Sequence, residues 1–162
     1  MNLVAGKCRV SPKKNETISR LELVACVIGT RLASAINAAV GLNPKNIFFW
    51  TDSRNALCWI NSSPKQCKVY VQNRVGEIQR VTELHQWRHV PTDQNPADVA
   101  TREITVEELV AKNIWWNGPE FLWKDTGAWP GTFDPSGNKS EEVLKEMRLS
   151  LIHISEPTRL RR

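Results

Sequence analysis

No uninterrupted apolar run in this 162-residue chain approaches the roughly 18 residues that a membrane helix needs. Met1 to Val10 holds no hydrophobic core followed by a small-residue cleavage site, so it does not read as a signal peptide. The expectation is a chain with no membrane partner and no secretory route. Zinc-knuckle spacing is missing too. The four cysteines stand at 8, 26, 58 and 67, none close enough to another to form a knuckle, and His85, His89 and His153 complete no ligand set. Cys26 and Cys58 fall in apolar, helix-patterned segments and read as buried free thiols, a usage that fits a reducing compartment. Strong charge of one sign is also absent. The net charge is +5, and without Leu149–Arg162 it falls to +3, with 19 Lys+Arg against 16 Asp+Glu. So mild a basic bias is compatible with a phosphate backbone as partner but does not by itself point to one. There are no internal repeats.

What is present is the content of one ordinary globular domain, 41% hydrophobic and 24% charged. Leu3, Val4, Cys8 and Val10, with Pro12 behind them, predict a short strand over 3–10. From Ser19 to Val40 the apolar positions Leu21, Val24, Ala25, Ile28, Leu32, Ala35 and Ala39 keep helical spacing for five turns. Gly41 and Pro44 end that helix. Asn46 to Thr51 is an unbroken apolar run bounded by turn residues and predicts a strand buried on both faces. Ala56, Leu57 and Ile60 predict a short helix that Ser62-Ser63-Pro64 breaks. Val71, Val75, Ile78 and Val81 predict another, and Leu84–Val90, alternating around Trp87, a further strand. Asn95-Pro96-Ala97-Asp98 reads as a capped helix start, and Thr105 with Glu108 as a capping box. Beyond Asn113 the chain turns to Trp, Gly and Pro, an extension packing its aromatics on the domain. A short helix fits Lys139–Arg148. This order of strands and helices indicates an α/β domain.

Three carboxylates occupy unusual places. Asp52 ends the most apolar strand, where open α/β sheets place their ligand crevice. Asp98 sits at a helix start after the last strand's loop, and Glu22 lies one turn into the long helix. Two-metal phosphodiester hydrolysis wants such a set, because each hard cation needs several oxygen ligands and carboxylates cancel its charge. Each residue also has a plainer reading: Asp98 facing a helix dipole, Asp52 capping the next helix, Glu22 facing solvent.

Thr17-Ile18-Ser19-Arg20-Leu21-Glu22-Leu23 and Trp50-Thr51-Asp52-Ser53 resemble the ribonuclease H region of Pao/BEL-type LTR retrotransposon polyproteins. The likeness continues in Asn73-Arg74-Val75-Gly76-Glu77-Ile78 and in Trp87-Arg88-His89-Val90-Pro91 through Asn95-Pro96-Ala97-Asp98. Thr101-Arg102, Ile104, Leu109, Trp115-Trp116, Gly118-Pro119 and Leu122 extend it over roughly residues 1–125. The resemblance implies a ribonuclease H-like mixed five-stranded sheet flanked by helices. It implies Mg²⁺-dependent cleavage of RNA in an RNA–DNA hybrid, with two ions in the intact family site and Mn²⁺ as a substitute. Glu22, Asp52 and Asp98 would be the catalytic, metal-binding carboxylates. Arg20, Ser53, Arg54, Asn73, Arg74 and Arg88 would contact nucleic acid, with Lys65, Lys68 and Gln72 beside them. Reverse transcriptase and integrase regions of the same polyprotein would flank the domain, in a cytoplasmic retroelement particle with a nuclear stage as the alternative.

The pattern departs from the family in places. A fourth carboxylate, an Asp in an Asp-Ala-Ser context on the opening strand, would precede Met1. The chain therefore reads as a domain lacking its first two strands, catalytically incomplete as written, with 3–10 as the third strand. Thr92-Asp93-Gln94 carries no loop histidine, and His89 reads as structural. Glu103 stands where the family has Gly, at a helix end where positive φ is expected. The segment 126–148 reads as a C-terminal extension. Residues 149–162, with Ser150-Leu-Ile-His-Ile-Ser-Glu-Pro-Thr-Arg159, resemble a translated cloning or sequencing read-through. The alternatives to a nuclease fragment are a non-catalytic nucleic-acid-binding remnant and a functionless pseudogene product.

Overall fold

The computed structural model describes residues 3–12 and 16–148; the tail expected over 149–162 lies outside the described residues. Helix α1 spans Ile18–Val40. Its first turn is closed by Thr17, whose side chain accepts from the Arg20 amide at 3.3 Å. Its last turn ends at Gly41, whose φ of 70° is the left-handed conformation that glycine adopts without a Cβ penalty.

The period expected for α1 holds, but its phase does not. The buried side chains are Ser19, Leu23, Cys26, Val27 and Thr30. Leu21, Val24, Ile28 and Leu32 are half-buried, and Ala25, Ala35 and Ala39 are exposed. The helix is apolar around most of its circumference, so composition leaves the choice of face open. Packing decides it, and two hydroxyls enter the core because each finds a partner: Thr30 donates to the Val27 carbonyl at 2.8 Å. By length and composition α1 is long and apolar enough to cross a membrane, although Arg20, Glu22 and Arg31 interrupt the apolar run. Here its Leu23–Val27 side is core.

Strand β1, Phe49–Thr51, is shorter than the apolar run suggested, because a 3₁₀ turn at Pro44–Asn46 takes up its start. Its residues Phe49 and Trp50 are half-buried. Ser53 caps α2, Arg54–Ile60, by accepting from the Ala56 amide. A 3₁₀ turn at Pro64–Gln66 leads to α3, Val69–Val81, which buries Val71, Val75 and Ile78 while Val81 is exposed. Strand β2, Trp87–His89, then pairs with β1 in parallel, in the register Phe49–Trp87, Trp50–Arg88 and Thr51–His89. Parallel neighbours require a crossover connection, and this one carries α2 and α3.

The result is a helix-rich α/β arrangement with a two-stranded parallel sheet among the described residues. One face of that sheet, with Phe49 stacked on Trp87 at 4.8 Å, joins the core of Leu23, Leu57, Trp59, Ile60, Val71 and Ile78. Alternation sends Phe48, Trp50 and Arg88 to the other face. There the Trp-rich segment closes over them: Phe121 lies 4.8 Å from Trp50, and Trp129 lies 5.2 Å from Phe48 and 5.5 Å from Trp50.

Three local expectations are corrected. Residues 3–10 form no strand; Val4 and Val10 are 76% and 91% exposed, and the Leu3 amide donates to the Trp116 carbonyl. Scattered apolar residues without an apolar surface to lie on do not make a strand. Pro96–Thr101 is 3₁₀ rather than α, although Asn95 caps it as expected. Glu103 has no positive φ, since none of the described non-glycine residues does. The capping box appears as predicted at the start of α4, Val106–Ala111. Helix α5, Asn113–Asn117, follows at once. Helix α6, Glu141–Lys145, sets Val143 fully inside the core, where Trp59 Nε1 donates to the Val143 carbonyl at 3.4 Å. An antiparallel bridge between Cys67 and Met147 holds the segment after α6.

Candidate functional site

The C-terminal end of β1, the start of α2 and the second turn of α1 meet at one corner. Ser53 is buried because it caps α2, and its Oγ also donates to Glu22 Oε2. Asp52 immediately precedes it and is half-buried; the cap of α2 is Ser53 and not Asp52. The Thr51 hydroxyl accepts from the Ser53 amide at 3.2 Å. Cys26, one turn along α1 from Glu22, backs this corner. Burial, with the charges of Glu22 and Asp52 adding to it and a hydrogen bond with Thr51 opposing it, pushes its thiol up to about 12. The same charges that disfavour a thiolate would attract a cation, which is how a carboxylate pair at a strand end acts on its surroundings.

Asp98 is held elsewhere in the network. It lies in the first turn of the Pro96–Thr101 helix, and its Oδ2 accepts from Arg102 Nη2 at 3.4 Å. Among the described residues no three Asp, Glu, His or Cys side chains gather closely enough to hold a metal ion. Glu22 and Asp52 thus share a corner, while Glu22 is engaged by Ser53 and Asp98 by Arg102. This arrangement does not fit a pair of hard divalent cations, each of which needs several free oxygen ligands.

The expected nucleic-acid contacts divide by what already holds them. Arg54 is exposed at the start of α2, and Lys65, Lys68 and Asn73 are exposed around the start of α3. Arg74 lies 3.4 Å from the centroid of the Tyr70 ring and donates to the Tyr70 carbonyl. Gln72 accepts from Arg148 at 2.7 Å. The Arg88 guanidinium is surrounded by aromatic rings, 5.2 Å from Phe48, 5.9 Å from Trp50 and 5.2 Å from Trp129, an arrangement that builds the sheet's second face. Arg20 stands 4.4 Å from the Tyr70 centroid, at the edge of α1's core face. Its Nε and Nη2 donate to Glu146 at 2.8 and 2.7 Å and its Nη1 to Glu16 at 3.1 Å. Burial pulls its guanidinium down, but the hydrogen bonds and charges of Glu16 and Glu146 outweigh that and hold it above its ordinary value.

Glu142 and Glu146 escaped sequence reasoning. Glu142 accepts from the Ser19 hydroxyl and, at 3.2 Å, from Asn55 Nδ2. Asn55 in turn donates to Ser19 Oγ at 2.7 Å and accepts from Ser140 at 2.8 Å. No local signal marks the contacts of these two carboxylates, since 87 to 126 residues separate the partners.

No curated protein and no solved structure matches the chain. A family model does match, over residues 1–53; the stretch covers 3–12, α1, β1 and the Glu22–Asp52–Ser53 corner, and Asp98 falls beyond it. The matching model is that of the Pao retrotransposon-like RNaseH-like domain, and residues 1–53 are similar to it.

Proposed function

We propose that the chain is the ribonuclease H-like part of a retrotransposon Pol polyprotein and that these 162 residues bind RNA–DNA hybrid without cleaving it. The observation that carries this reading is the corner itself: the family match ends on Ser53, the residue that ties the helix carboxylate Glu22 to the end of β1. The basic groups Arg54, Lys65 and Lys68 lie on the elements that follow this corner, and none has a carboxylate within ion-pair distance among the described residues. Free cations of this kind bind phosphates by releasing counterions, so affinity should fall steeply with salt. In the full family arrangement Mg²⁺ would supply the nucleophilic water and leaving-group stabilisation; the described carboxylates do not make that site, so hydrolysis is not assigned to this chain. Reverse transcriptase and integrase regions would be its neighbours in the polyprotein, and a retroelement particle its setting.

A labelled RNA–DNA hybrid, incubated with and without Mg²⁺, tests both halves. The expected result is salt-dependent binding with the RNA strand intact. Mg²⁺-dependent cleavage that disappears in Asp52→Asn would overturn the non-cleaving half, and the absence of any salt-dependent binding would overturn the other.

A further inference from the structure

A polyanion approaching the first turns of α1 would find donors already engaged. Ser19 and Asn55 are turned to Glu142, and Arg20 is turned to Glu146. Both carboxylates come from one short segment, Ser140–Arg148. That segment is also fastened by backbone bonds, Lys68 N–H to the Glu146 carbonyl and Arg148 N–H to the Gln66 carbonyl, each at 2.7 Å. Glu16, just before the Thr17 cap, already holds one Arg20 nitrogen, and the strap segment adds two further carboxylates at a helix start whose amides and dipole favour negative charge. The second oxygen of Glu146 is buried and unpartnered, a desolvation cost that a purely structural ion pair at the surface would not carry. Ser19 stands about one turn before Glu22 and Arg20 two residues before it, and Asn55 stands two residues after Ser53.

We propose that Ser140–Arg148 is an acidic strap that occupies, with carboxylates, the donors a nucleic-acid phosphate would use, and that it must lift before a polynucleotide engages this end of α1. The strap rests on the hybrid-binding reading above and states how that surface is regulated. Glu142 stands in for one phosphate, bridging Ser19 and Asn55. Glu146 stands in for a second, on the edge of the Arg20 guanidinium. Val143 between them keeps the strap closed by filling the core against Trp59.

The test is the full chain carrying Glu142→Gln and Glu146→Gln, which removes both charges and leaves Val143 in place. A change of two charge units alone strengthens binding to any polyanion, so Glu103→Gln with Glu107→Gln, both exposed, outside the strap and in no ion pair among the described residues, serves as the charge-matched control. Binding of a roughly 20-base-pair RNA–DNA hybrid, read by fluorescence anisotropy over a salt series, should tighten about tenfold in the first variant. Its log–log salt slope should steepen by about one, the increment for one additional phosphate contact. The control should tighten far less with no change of slope, and adding Arg20→Ala to the first variant should cancel the gain. Equal affinities and slopes for the two double variants overturn the strap while leaving hybrid binding intact. No binding by the parent or by either variant overturns both, because bared donors that attract nothing need no guard. Should the double variant fail to fold, hydrogen exchange on the parent decides: amides of 141–147 should exchange faster with hybrid bound, and unchanged protection at saturation overturns the proposal.

Discussion

Val143→Ala is the most informative single change to the fold. Val143 is completely buried, whereas Leu144, its neighbour on the same short helix, is 54% exposed. Removing two methyl groups from a buried site forfeits about 1.6 kcal/mol of transfer free energy at about 0.8 kcal/mol each. The vacated space adds about 1 kcal/mol more where the surroundings relax only partly. Alanine's better helix propensity returns about 0.5 kcal/mol. The expected loss is therefore about 2 kcal/mol for Val143→Ala, against under about 1 kcal/mol for Leu144→Ala, which removes more carbon from a wetter place. Urea unfolding followed by far-ultraviolet circular dichroism measures it. With m near 2 kcal/mol/M, the midpoint should fall by about 1 M for the first variant and by less than half as much for the second. Equal shifts for the two variants would refute the reasoning, because they would mean that α6 is not seated as the core requires.

Three further outcomes are expected. Ser53→Ala should cost about 1 kcal/mol in the same unfolding assay through loss of the α2 cap, and Ser53→Thr should recover most of it. Glu77 accepts from Arg31 at 2.6 and 2.9 Å, and that hydrogen bond, helped by the charges of Arg31, Arg80 and Arg74, outweighs the opposing effect of burial and holds its carboxyl below the ordinary carboxylate range. Its contribution is present above the unfolded pKa, near 4.3, and is lost as pH falls through the depressed folded value. The parent should therefore exceed Glu77→Gln by about 0.5 kcal/mol at pH 7 in low salt, the scale of an exposed pair, and the gap should close near pH 3. Finally, a thiol reagent at pH 8 should modify exposed Cys8 within minutes and leave buried Cys26 untouched until denaturant is added; rapid labelling of Cys26 in the native chain would contradict its place behind the Glu22–Asp52 corner.

Local chemistry was the legible part of this fold. Asn95, Thr105 and Gly41 close their helices where the caps are written, because capping needs only neighbours within four residues. Ala56, Leu57 and Ile60 of α2 and Val71, Val75 and Ile78 of α3 were readable as core-facing, whereas Trp59, fully buried on α2, was not singled out. The core face of α1 was not readable, since a helix apolar on several sides gives the right period and no phase. Residues 3–10 carry the apolar residues of a short strand yet join no sheet, as strand formation depends on a partner that local sequence cannot supply. At the candidate site, Glu22, Asp52 and Ser53 were singled out in motifs whose resemblance to the family the match over residues 1–53 supports. The engagement of Arg20 by Glu146 and of Arg88 by three aromatic rings was not visible. Both depend on which distant element arrives beside a surface residue, and a charged side chain reads the same in sequence whether it is free or spoken for.

The seating of α6 against α1 also sets a timetable. Ser19 and Glu142 are 123 residues apart, and Arg20 and Glu146 are 126. Contacts of such separation close the longest loops in the chain and form late, after local helices and the crossover are in place. On a ribosome, α1, β1, α2 and α3 leave the exit tunnel long before the residues that will cover Trp59. A nascent chain would carry that indole and the cationic start of α1 uncovered for the seconds that the intervening residues take to synthesise. Its interval of greatest exposure to chaperones, to aggregation and to passing polyanions falls during translation, and it ends when Val143 emerges.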